Sequence, residues 1–472
     1  MDVPARRRPS SGVARFRRVF GRLVLLALPA VVVLAGASAA PVTDSAGTSD
    51  DGRARAVLRE QQPGVSVVDE TAGAELAAAT SGALFDTAPV VVLGPHDDDA
   101  GMQRAGRVAA GLGVPVLPAS GGPDGPVADE LAELSPRAVL TAGGVTTGEV
   151  ETLVADQQVI TADGAASDGL PAEVPDTQRP RPLKATVLVS DDGSAGAAVA
   201  TARSAGARVL SVDGADPRAD GDVVETLRER APDTVVALGA EFAPVQRFRD
   251  RLAVAQTGEQ LPGGGQRMFP GRRLVALYGH PGTSDLGALG AQGIDDSIER
   301  AKALAADYEE HSDVPVVPTF EIIATVASEK PGRDGDYSTA ATVEELRPWV
   351  EKAGRAGLYV VLDLQPGRAE LREQAERYEE LLRKPHVGLA IDPEWKLGPH
   401  EKPLQKIGSV DAAEVNRVSE WLADLTAEHR LPQKLLVLHQ FTKAMVRHED
   451  EVETDHDEVG LLVHMDGQGS PG

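Results

Sequence analysis

Two carboxylates stand two residues apart at the end of an apolar run, VGLAIDPEW: Asp392 and Glu394, with Pro393 between them. Residues at this spacing on an extended strand point to the same side. The proline has no amide hydrogen, so it belongs where a strand ladder ends. Like charges in a partly buried site resist ionising together, so one acid keeps its proton near neutral pH while its neighbour stays charged. Cleavage of a glycosidic bond needs that combination, a proton donor beside a base or nucleophile. The pattern assigns Glu394 as donor and Asp392 as base, nucleophile or orienting partner, and leaves retention or inversion open. Trp395 offers a flat apolar face on which a sugar ring can stack.

Further ionisable groups recur in the same kind of place. The runs LVALYGHPG, VVPTFEIIATVAS, LYVVLDLQPG, KLLVLHQF and VGLLVHMDG carry Tyr278 and His280, Glu321, Asp363, His439, and His464 with Asp466. Asp363 ends the run before the Asp392–Glu394 pair and joins the predicted catalytic set. Tyr278, His280, Glu321, Trp395, His439, His464 and Asp466 are the predicted substrate contacts. The direction of Glu321 is left open by the pattern. Histidines among acids suit zinc or manganese, but no HExxH motif or close histidine pair is present. No metal ligand and no cofactor is therefore assigned, and a metal-dependent hydrolase stands as an alternative. So does a non-catalytic carbohydrate-binding protein, because any one of these acids also suits a helix cap or a turn.

Amphipathic stretches separate most of these runs. Ile294, Ile298, Ala301, Ala305 and Tyr308 fall on one helical face, as do Leu371, Ala375, Tyr378 and Leu382, and Val415, Val418, Leu422 and Leu425. Thr342 with Glu345 and Asp411 with Glu414 are N-terminal capping patterns. Apolar strands alternating with such helices predict a parallel sheet, with chemistry at the carboxyl ends of its strands. Residues 271–472 hold about six strand–helix units, whereas a closed barrel of eight typically needs ~250 residues. The expectation is a TIM-barrel-like (β/α) domain, incomplete or truncated at its C-terminus.

Upstream, residues 76–253 contain a weak repeat, from PVVVLGPHDDDAG to PRAVLTAGG and from ATVLVSDDGSAG to DTVVALGAEF. It predicts a pair of small doubly wound α/β lobes. The acids Asp97, Asp98, Asp99, Asp191 and Asp192 follow their opening strands, where a helix dipole favours negative charge. The glycine-rich 254–270 reads as a linker, and the polar 40–75 as a flexible tether. Residues 1–39 combine an arginine-rich head, the apolar run Leu23–Ala35 and the small-x-small triplet Ala37-Ser38-Ala39, which predicts an export signal. Membrane contact is expected only through that segment left uncleaved.

Composition narrows the functions. The formal net charge is −25, which repels phosphate backbones and argues against nucleic acid as a partner. Cysteine is absent, so thiol chemistry and disulfides are excluded. GPHDDDAG and SDDGSAG match neither the GxGxxG fingerprint nor a P-loop, and no GxSxG elbow occurs.

LAELSPRAVLTAGG and its counterpart LRERAPDTVVALGAEF resemble cell-wall-binding repeats of the second type, found in surface proteins of Gram-positive bacteria. The second copy departs from the glycine pair, with Gly239-Ala240, and the usual Leu-Ala-Asp-Ala run is missing. From Met268 to Gly469, RRLVALYGHPG, VGLAIDPEW and VHMDGQG resemble the barrel-like domain of uncharacterised secreted actinobacterial proteins. The DxE strand end is also similar to lysozyme-type glycoside hydrolases. These likenesses imply a secreted or cell-surface protein whose partner is cell-wall polysaccharide or peptidoglycan.

Overall fold

The computed structural model describes residues 53–465 except 72, 155–156, 163–168 and 191–194, together with the short strand Gly47–Thr48. The predicted export signal and Asp466, Asp191 and Asp192 lie outside the described residues.

The architecture is α/β with parallel sheets. Two four-stranded parallel sheets come first. In one, Val116–Pro118, Val90–Gly94, Ala138–Thr141 and Gln158–Thr161 lie side by side. In the other the order is Arg208–Val212, Thr186–Ser190, Thr234–Leu238 and Gly64–Val68. The last strand of the second sheet, Gly64–Val68, thus comes from within the segment 40–75 expected to be a flexible tether. Five half-exposed edge residues, GVSVV, bury too little to leave a clear period in the sequence.

The two sheets share one apolar core. Their helices Asp99–Leu112 and Gly196–Ser204 approach so closely that a Cβ on Gly106 would lie 2.8 Å from the Ala200 Cβ. Thr201 Oγ1 ties the second helix to the edge strand of the first sheet, donating to the Val116 carbonyl at 2.7 Å and accepting from its amide at 3.0 Å. Gly143 has φ +78°, and a Cβ there would meet the Gly101 carbonyl at 2.2 Å. Gly143 therefore allows backbone to pack on backbone.

The third sheet is built from β1 (Arg273–Gly279), β2 (Val316–Ala327), β3 (Tyr359–Leu364), β4 (Val387–Ile391), β5 (Lys434–His439) and β6 (Val459–His464). They pair in parallel and in sequence order. A short strand, Ser338–Ala340, pairs antiparallel with the end of β2. Order without reversal is the winding of a barrel rather than of a doubly wound sheet. Among the described residues β1 and β6 are not paired, so they form an open sheet and not a closed TIM barrel.

Helices α1 (Ile294–Glu309), α2 (Val343–Arg355), α3 (Leu371–Glu376), α4 (Glu379–Leu382) and α5 (Ala412–Glu428) follow their strands. Thr342 and Glu345 form a capping box at the start of α2, which runs through Pro348. Asp411 caps α5, accepting from the Ala413 amide. The helices cover one face of the sheet. Phe320, Ile322, Val360, Leu362, Leu389, Ile391, Leu436 and Leu438 pack against their stripes. The alternate residues line the other, concave face.

The segment read as a linker is structured. Residues 254–255 end the helix Val245–Ala255. Leu261 and Met268 are buried against Val317, Tyr359, Val361, Ala390, Leu435 and Val437, on the concave side of the sheet. The Arg272 guanidinium donates to the carbonyls of Pro262, Gly264, Arg267 and Met268. The glycines at 263–265 all have positive φ, the conformation that lets this strap turn inward. A bidentate pair from Arg251 to Asp457, at 2.6 and 2.8 Å, ties the same helix to the loop before β6. In the sequence only the helix-breaking glycines stand out; the apolar residues around them fill the sheet's concave side.

Met268 is fully buried, so Met268→Ala should destabilise the fold by about 2–5 kcal/mol. Met465, whose side chain is exposed, should tolerate alanine with no change. Urea midpoints of the two variants decide it: equal midpoints would mean the strap does not fill the sheet.

Candidate functional site

The concave face encloses a cavity of about 680 Å³. Its walls follow from strand alternation: Leu274, Ala276 and Tyr278 from β1, Thr319, Glu321 and Ile323 from β2, Leu435, Val437 and His439 from β5. On β1 and β5 the apolar members precede the polar one, whereas on β2 Thr319 and Glu321 precede Ile323. The floor is therefore mostly apolar, and Tyr278, Glu321 and His439 sit toward the carboxyl ends of their strands.

His439 Nε2 donates to Glu321 Oε1 at 2.7 Å. Their strands, β2 and β5, are three steps apart, roughly 14 Å on a flat sheet. Direct contact requires the sheet to curl until the inner side chains meet. Both residues are buried. Burial by itself would push the His439 imidazolium toward deprotonation. The hydrogen bond to Glu321 and the charges of Asp363, Glu321 and Asp392 outweigh it and raise its pKa to about 10. His464 lies beside His439 in register, and its ring meets the His439 ring edge-to-face at 5.0 Å.

Asp363 is fully buried and does not line the cavity. Tyr278, which does line it, donates its hydroxyl to Asp363 Oδ2 at 3.3 Å. Asp363 Oδ1 is buried without a hydrogen-bond partner. Desolvation lifts the Asp363 pKa to about 7, against the opposing charge of His439 and with help from Glu321. Burial likewise raises the Tyr278 hydroxyl far above its usual value, aided by Asp363, Asp392 and Glu321.

Asp392 and Glu394 both line the cavity, with Trp395. They do not share it by strand alternation. β4 ends at Ile391, and Pro393–Trp395 is a 3-10 turn. The Asp392 amide still donates across to the Leu364 carbonyl at 3.0 Å, and Pro393 cannot continue the ladder. Gly408 closes the loop behind the turn, its amide donating to the Glu394 carbonyl at 2.7 Å. Glu394 and Trp395 also face a smaller recess of about 300 Å³ with Leu397, Pro403, Leu404, Lys406 and Ile407.

The cavity thus brings together Tyr278, Glu321, Asp392, Glu394, Trp395, His439 and His464. His280 lies outside the lining, in its own turn: its Nδ1 accepts from the Gly282 amide at 3.0 Å, and burial lowers its pKa. Two residues after the strand's last inward side chain, the chain has already left the ladder. Gln365 is a lining residue that sequence reading missed. Its Oε1 accepts from the Ala327 amide at 2.8 Å. The signal was present, because Gln365 follows Asp363 at the same two-residue spacing that singled out Glu394. Farther off, Asp98 pairs with Arg104 at 3.3 Å, and Arg104 also donates to the Gly143 carbonyl, a structural use of one N-terminal acid.

No protein-family model and no curated protein matches the chain. Among solved structures it is similar to Cwp6 from Clostridium difficile, at 12% identity and a TM-score of 0.35. That match covers 67% of this chain and 65% of Cwp6, so the chain spans less than two thirds of that protein.

Between the ordinary carboxylate value of 3.8 and about 7, folded Asp363 holds a proton that the unfolded chain has released. Asp363 therefore erodes stability as pH rises through that window. Asp363→Asn removes the linkage. Its stability relative to wild type should rise across the same window in urea titrations, and a flat difference would show that Asp363 is not held protonated.

Proposed function

We propose that this is an exported, wall-associated protein whose curled sheet binds cell-wall polysaccharide or peptidoglycan and hydrolyses a glycosidic bond. One observation carries the reading. Asp392, Glu394 and Glu321 line a single cavity at the carboxyl ends of parallel strands, beside Tyr278 and Trp395. Acids in one pocket supply a proton donor and a charged partner. The aromatic walls suit the apolar faces of sugar rings, and the cavity volume falls in the range of small-ligand sites. Glu394 is assigned as proton donor. It sits on a turn at the mouth, less buried than Asp392, where it can reach a leaving-group oxygen. Asp392, buried deeper, is the base, nucleophile or orienting partner. Asp363 does not line the cavity, so its assigned role changes from catalysis to positioning the Tyr278 hydroxyl. The export reading and the repeat resemblance give the wall setting and rest on sequence alone.

Glu394→Gln should lower glycan cleavage by about 10²–10⁴-fold while leaving glycan binding and the melting temperature in place. Reducing-end release from purified wall polysaccharide and peptidoglycan is the readout. A wild-type chain that cleaves none of these substrates sinks the hydrolase reading. If it still binds them, the chain is a carbohydrate-binding module.

A further inference from the structure

We propose that Glu321, His439 and His464 form a divalent-cation site that takes zinc or a similar first-row metal ion. The proposal stands apart from the glycan reading and needs no substrate.

Three strands deliver the ligands. Glu321 comes from β2, His439 from β5 and His464 from the end of β6. One ligand atom from each lies within 4.8 Å of the other two. Metal–ligand bonds of about 2.0–2.2 Å place first-sphere atoms within about 4 Å of one another. Glu321 and His439 already meet that limit at 2.7 Å, and an ion bound there would take the place of the proton they share, releasing it to solvent. His464 is exposed, so a modest rotation of its ring completes the set. Two imidazoles and one carboxylate are a donor set for zinc, and one that leaves room for water or substrate. Calcium and magnesium prefer all-oxygen shells, so this set disfavours them.

The surroundings point independently to a cation. Glu321, Asp392 and Glu394 line the cavity, and buried Asp363 accepts from Tyr278 of its lining. Among the described residues that line it there is no lysine or arginine. A concentration of carboxylates with low-dielectric walls attracts positive charge. The open side of the site faces the cavity, where a bound ion would act as a Lewis acid or lower the pKa of a bound water.

The sequence alone did not select this trio. Glu321 and His439 are separated by 117 intervening residues and two strands, and His280 was as good a candidate as His464. Only the curl of the sheet brings the three together.

The test uses the full chain, stripped with chelator and titrated with Zn²⁺ by calorimetry, with Co²⁺ absorption as a second readout. One Zn²⁺ per chain is expected, with a Co²⁺ spectrum of low coordination number. His464→Ala and Glu321→Gln should each weaken Zn²⁺ binding by more than the roughly 10–100-fold that loss of a supporting residue costs. His311→Ala, at an exposed position away from the set, should bind as wild type does. His464 is exposed, so its alanine variant should keep the wild-type melting temperature and report on binding alone. No stoichiometric Zn²⁺ uptake by wild type, or unchanged affinity in both variants, overturns the proposal.

Discussion

The hydrogen bond between Glu321 and His439 is the contact on which the candidate site depends. It joins strands that are not neighbours, across the hollow of the sheet. Neither residue tolerates burial alone, because an unpaired charge in an apolar wall is expensive. Together they hold a proton between them and let the sheet curl over a polar centre. Everything at the mouth takes its place from that curvature: the Tyr278 hydroxyl over Asp363, the His464 ring against His439, and the turn that carries Glu394.

Two features support the curl from below. Outward-facing strand residues pack on helical stripes, so the convex face is dry. On the concave side, Leu261 and Met268 fill the space that six strands leave, and Arg272 satisfies the carbonyls of the strap that brings them there. Val361, Leu435 and Val437 belong both to this cluster and to the cavity lining, so the strap backs the cavity's apolar floor. The Arg251–Asp457 pair then anchors the same region to the helix before it.

The strand ends were legible because an acid or histidine breaking an apolar run is a local signal. Asp392, Glu394, His439 and His464 could be singled out that way. The helix stripes, apart from exposed Tyr308, and the caps at Thr342 and Asp411 were legible for the same reason, since each is decided within a turn or two. What was misread involved distance. Gly64–Val68 looks like tether until Thr234–Leu238 provides a partner 170 residues later. Leu261 to Phe269 looks like linker until the concave side of the sheet provides an apolar surface. Asp363 and Glu394 look equivalent, yet one is sealed under Tyr278 and the other sits on an open turn.

Sequence by itself determined the α/β class, the parallel order of strands, the absence of thiol chemistry and a short roster of ionisable strand-end residues. Those properties follow from periodicity and composition, which act over a few residues. Tertiary structure decided which members of that roster meet, which one is buried with a proton, and that His280 turns away. These outcomes depend on sheet curvature and desolvation. Both arise only when segments 85 to 118 residues apart exclude water together, so no local pattern encodes them.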